Sequence, residues 1–181
     1  MLHNYLCGYE MRNFLLRLAI ISVLGCLTAC GGGGGGVTPP SAQVSALEAS
    51  GRLPNLDRTS SLTGTVTNRD GVRDDIALWI EQRPATPAQK TALTALAIAN
   101  QKALTVDVTN DVALRAVVAQ QHAAVKCVVR REANQLAGIR TVPTLRDYTA
   151  NTPQRAQAYR NYTEALNGAV LKSPDGDGCV N

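Results

Sequence analysis

Aromatic side chains are scarce in this 181-residue chain: one Trp, five Tyr and a single Phe make up 4% of it. Phe14 falls within the first thirty residues. Any core built by the rest therefore depends on Leu, Val, Ile and Ala around Trp79 and the tyrosines, and is modest in size. Histidine is almost missing too, since beyond the first thirty residues only His122 remains. That leaves little material for a zinc site or for a nucleophile paired with an imidazole base, and no Gly-x-Ser-x-Gly turn stands near it. Long blocks of one charge are absent: 18 Lys and Arg stand against 14 Asp and Glu. The signs are scattered, with no basic run longer than Arg130-Arg131, and so weak a field argues against nucleic acid as a partner. Neither a Gly-x-x-x-x-Gly-Lys run nor a dinucleotide fingerprint occurs, and the polyglycine from Gly31 to Gly36 opens no helix that could cradle phosphate. No stretch alternates with period two over a useful length, and no internal repeat is visible, so sheet and solenoid architectures are disfavoured.

What is present begins with a leader. Arg12 and Arg17 form a positive region, residues 18–24 are apolar, and small residues precede a cysteine. Met11 is the expected start. The apolar run is roughly ten residues, whereas a spanning helix needs about 20, so a permanent transmembrane helix is not expected here. The tetrad Leu27-Thr28-Ala29-Cys30 resembles the lipobox of bacterial lipoproteins, in which the cysteine thiol receives diacylglycerol before a peptidase cuts ahead of it. The resemblance implies a signal peptide over residues 1–29, lipid on Cys30, a membrane anchor and no activity. A cut before Cys26 competes, but Leu24 is bulky for its place. Gly31 stands where an Asp would favour retention at the inner membrane, so the resemblance points to the outer membrane of a Gram-negative envelope. Residues 30–43, rich in Gly and Pro, read as a tether spanning roughly 20 Å, and residues 44–181 as one helical domain.

Cleavage before Cys30 would leave Cys127 and Cys179 as the two unmodified thiols. In an oxidising compartment an even pair predicts a disulfide, with two free thiols as the alternative.

Periodicity then supplies the domain. Residues 44–69 read as an irregular lead-in anchored by Leu53, Leu56 and Leu62. Val72, Ile76, Trp79 and Ile80 lie at i, i+4, i+7 and i+8, predicting a helix over 72–82 capped by Asp70. Thr86-Pro87-Ala88-Gln89 is a capping box with proline at the first helical position, opening a helix to about residue 104. Asn110 or Thr109 opens a third, in which Leu114, Val117, Val118, Ala124, Val125 and Val128 form a stripe. It is expected to run to about 136, with Gly138 as its C-terminal cap. Val142-Pro143-Thr144 reads as an interruption, and Thr152-Pro153 starts a fourth helix over 153–171, followed by a loop. The expected architecture is all-α: a small antiparallel bundle of about four helices.

The most suggestive candidate site is residues 68–75. Asn68, Asp70, Asp74 and Asp75 around Gly71 partly resemble the calcium loops of EF-hand and thrombospondin type 3 proteins, where hard oxygens surround a tight turn. The resemblance implies calcium as a ligand, with Asp57 or water completing the set. Departures are plain: Val66 and Ala77 fall where carboxylates belong, and Arg69 and Arg73 weaken the negative field. The alternative is a turn and helix start whose acids face the helix dipole. Asp175-Gly176-Asp177-Gly178 reads as a turn. Tyr159 and Tyr162 with Arg155 and Arg160 are either an aromatic and basic ligand patch or half-buried core. Asn161-Tyr162-Thr163 matches a glycosylation sequon without consequence in a bacterial chain. His122 reads as a partly exposed helix residue, and no catalytic constellation is legible. Gly71-Val72-Arg73-Asp74-Asp75 together with Asn151-Thr152-Pro153-Gln154-Arg155 and Ala158-Tyr159 is similar to a group of small, uncharacterised secreted proteins of proteobacteria. That similarity implies an exported helical domain and no activity. The reading is a membrane-anchored envelope lipoprotein acting as an interaction or structural module, with another envelope protein as the expected partner and a calcium-binding module as the competing class.

Overall fold

Four of the helix starts follow from short polar side chains that accept the first free backbone amides. The computed structural model describes residues 40–169 and 175–179; the leader, Cys30 and most of the tether lie outside these. Thr86 accepts from the Gln89 amide while the Gln89 side chain accepts from the Thr86 amide, completing the expected capping box. Asn110, Asn134 and Thr152 each accept from the amide three residues on.

The described residues hold six helices and no strand: α1 (Pro40–Ala49), α2 (Asp74–Gln82), α3 (Pro87–Ala103), α4 (Asp111–Arg131), α5 (Gln135–Thr149) and α6 (Pro153–Ala165). The all-α class holds, but six helices replace the expected four. α1 begins within the stretch read as tether, and α5 occupies the stretch read as an interruption.

Three boundaries are corrected. α4 ends at Arg131 rather than 136, because Glu132 is already extended and Asn134 caps the next helix. Gly138 is therefore no C-cap but a residue inside α5, where a Cβ would stand 2.6 Å from the Val129 Cα of α4. Glycine is needed there for close approach. Pro143 also lies inside α5. A helix-interior proline costs about 3 kcal/mol in isolation. Here Thr141, Leu145 and Thr149 bury one face of the helix, and the Thr144 hydroxyl bonds the Arg140 carbonyl at 2.9 Å beside the missing donor. Packing outweighs the local penalty. α6 stops at Ala165, well short of 171, with Gly168 at φ +79° just beyond.

α3 is the central element, touching α2, α4, α5 and α6. It runs antiparallel to α4: Lys102 pairs with Gln120 and Asn100 with Gln121, while the start of α3 lies beside the end of α4. The main core joins Val72, Ile76 and Ile80 to Leu93, Leu96, Val128 and Leu145. A second cluster gathers Ala103, Leu114, Val117, Val118 and Tyr162 around α6. By length and composition α4 could cross a membrane, yet its stripe is packed into these two clusters. Trp79 meets Tyr148 edge-on at 5.3 Å, and the Arg83 guanidinium lies 4.7 Å above its ring.

The expected bridge is present. Cys127 in α4 bonds Cys179 in the tail, 52 residues on. Closing so long a loop contributes on the order of 4 kcal/mol on chain-entropy grounds. Gly178 fits because any Cβ there would lie 2.3 Å from the Ala123 carbonyl oxygen.

Candidate functional site

Residues 53–73 run irregularly before α2, and two arginines hold them to the helices. Arg73 and Arg155 are both completely buried. Arg73 grips Asp75 with two bonds, Nε to Oδ1 at 2.6 Å and Nη2 to Oδ2 at 2.8 Å. Its remaining donors meet the Tyr148 and Thr149 carbonyls at the end of α5, where a cation suits the helix dipole. Arg155, in the first turn of α6, donates to the Ser61 carbonyl at 3.0 Å, the Asp57 carbonyl at 2.6 Å and Asn151 Oδ1 at 2.9 Å. It also pairs with the Asp57 carboxylate at 3.3 Å. The two pairs are joined, since the Asp57 amide donates to Asp75 Oδ2 at 2.7 Å.

Electrostatics follow from this geometry. Bonds from Thr59, with further help from Thr65 and Arg155, hold the Asp57 carboxyl far below the usual carboxylate range despite partial burial. Burial, and then the neighbouring Arg73 cation, lower Arg155. Gly64, at φ +62°, makes room: a Cβ there would lie 2.4 Å from Arg73 Cδ and 2.9 Å from Arg155 Nη2.

The four residues proposed for calcium are not brought together. Asn68 and Asp70 bond each other, and Asp70 also accepts from the Val72 amide, so it caps a turn rather than α2. α2 starts at Asp74, after Arg69 and Gly71 have both taken positive φ. Asp74 accepts from both the amide and the hydroxyl of Thr67, which hold its carboxyl below the usual range. Asp75 faces inward to Arg73. Among the described residues, no three His, Cys, Asp or Glu side chains gather closely enough to hold a metal ion.

The aromatic and basic quartet divides likewise. Arg155 is buried, Arg160 is exposed and bonds Gln157, and the hydroxyl of fully buried Tyr162 donates to Gln121 Oε1 at 3.0 Å. Burial, with Tyr159 beside it, pushes Tyr162 up to about 12. These tyrosines belong to the core cluster. His122 is half-buried on α4. Asp177 caps the tail turn through the Cys179 amide, which lowers its carboxyl, and pairs with Arg131 at 3.4 Å.

Two features had no expectation behind them. One is the joined Arg–Asp cluster, whose partners stand up to 98 residues apart. The other is a pair of cavities either side of α3, of about 390 and 460 Å³, sharing Thr91, Ala95 and Ile98 as a common wall. The only signal for the second was the alanine content of α3. Comparison of the chain with protein families, curated proteins and solved structures finds no match.

Proposed function

We propose that this chain is an exported lipoprotein, anchored through an acylated Cys30 in the outer membrane, whose helical domain acts by contact with another envelope component and performs no chemistry of its own. The observation that carries this reading is the Cys127–Cys179 bond, because structural disulfides persist in the compartments that a lipobox leader reaches. The Arg–Asp cluster supports it in a second way, fixing an otherwise irregular loop into one rigid face. Leu136 and Ile139, one turn apart on α5 and both more than half exposed, add an apolar contact point. Metabolic labelling with palmitate tests the anchor: the wild-type chain takes up label and is shortened, and Cys30→Ser remains an unlabelled precursor. Label retained by Cys30→Ser would overturn the assignment, as would free thiols at Cys127 and Cys179 in chain isolated from cells without reductant.

A further inference from the structure

The cavity between α3 and α4 has a volume of about 390 Å³. Small-molecule sites are typically concavities of roughly 300–1,000 Å³ with apolar walls and a few convergent polar groups. Its walls are Ala92, Ala95 and Ile98 from α3 facing Ala123 and Ala124 from α4, and alanine opposite alanine leaves the space unfilled. The disulfide and Gly178 close one side, with the Gly178 backbone pressed against the Ala123 carbonyl.

Charge is gathered at one end, while Thr91 and Gln120 add neutral polar groups elsewhere on the lining. Arg131, in the last turn of α4, reaches the rim, where Asp177 and the Cys179 sulfur each hold it at 3.4 Å. Its side chain is nevertheless 44% exposed, so the guanidinium is positioned yet open to a further anion. A surface pair such as Arg131–Asp177 is worth about 0–1 kcal/mol, so sharing or releasing Asp177 is easy. Ala88, in the first turn of α3, borders the same end, which adds the positive pole of that helix. The apolar walls thus run out to a fixed cation.

From this complementarity we infer that the cavity binds one single-chain amphiphile, its acyl chain lying along Ala92, Ala95 and Ile98 and its carboxylate meeting Arg131. The site stands on the cavity alone and holds whether or not Cys30 carries lipid. A test uses the full chain, kept soluble by an amphipathic polymer, and a photoreactive dodecanoate whose cross-links are mapped by mass spectrometry. Saturable labelling is expected in the α3 and α4 segments that wall the cavity, competed by dodecanoate and far more weakly by dodecyltrimethylammonium. Arg131→Gln should weaken apparent affinity about tenfold, the effect of losing one hydrogen bond to a charged group. Ala95→Leu fills the space and should abolish labelling while melting no lower than the wild type. Labelling that does not saturate, maps outside α3, α4 and the Gly178–Cys179 tail that line the cavity, or is competed equally by the cationic amphiphile would overturn the proposal. Because that competition uses the wild-type chain, it decides the matter even if Ala95→Leu fails to fold.

Discussion

Replacing Arg155 with Met is the most direct challenge to the joined arginine cluster. The change keeps an unbranched apolar stem, shorter than arginine, but removes the Arg155 donors to the Ser61 and Asp57 carbonyls, Asn151 and the Asp57 carboxylate. Breaking a buried ion pair by deleting one partner costs about 3–5 kcal/mol, because the other charge is left uncompensated. The Asp57 side chain is 12% exposed and regains some water, which places the loss near the lower end, about 3 kcal/mol. For a domain whose total stability is of order 5–15 kcal/mol, that corresponds to a fall in Tm of roughly 10–15 °C. Urea unfolding followed by circular dichroism gives the number, and a cycle with Asp57→Asn isolates the pair. A coupling of at least about 1 kcal/mol is expected; single effects that add within about 0.5 kcal/mol would refute the reasoning. The pH profile is an independent check. The folded Asp57 pKa is depressed, so its contribution is complete above the unfolded value near 3.9 and is lost as pH falls below that toward the folded value. Asp57→Asn should therefore flatten the acid limb of the stability curve and leave its shape above about pH 5 unchanged.

Three further outcomes are expected. Cys127→Ser with Cys179→Ser should lower stability by about 4 kcal/mol, and a loss below about 1 kcal/mol would show that the tail adds no constraint. Tyr162 is raised to about 12, so its contribution is full below pH 10 and declines as pH climbs toward 12. Tyr162→Phe should remove that alkaline decline, at about 1 kcal/mol for the lost bond to Gln121. Millimolar calcium should leave Tm unchanged, since Asp70, Asp74 and Asp75 are engaged by Asn68, Val72, Thr67 and Arg73; a calcium-dependent rise would restore residues 68–75 as a cation site.

How far the sequence could be read depended on the range of the forces involved. Helix starts at Thr86, Asn110 and Thr152 are local events, three residues long, and all three were legible. The cysteine pair was legible only through the reading of a leader cut before Cys30, which leaves two of the five cysteines unmodified. α5 was not, because Gly138 and Pro143 are breakers by intrinsic propensity and only their surroundings, Val129 for one and a buried face for the other, reverse the sign. Asp70 was misplaced as a helix cap because a turn and a helix start use the same short acceptor. The arginine cluster was invisible for a different reason: Asp57 and Asp75 read as candidate cation ligands, Arg73 as a charge opposing them, and Arg155 as part of a separate patch. Nothing in their spacing tells that a loop and the first turn of α6 will enclose them together.

The bond from Cys127 to Cys179 also makes a covalent ring, and α5 and α6 both lie wholly on it. A single proteolytic nick at the α4–α5 or α5–α6 junction opens the ring without releasing a fragment, so the chain would migrate as one species until reductant is added. A protease that cuts this half of the domain once leaves its pieces tethered to α4.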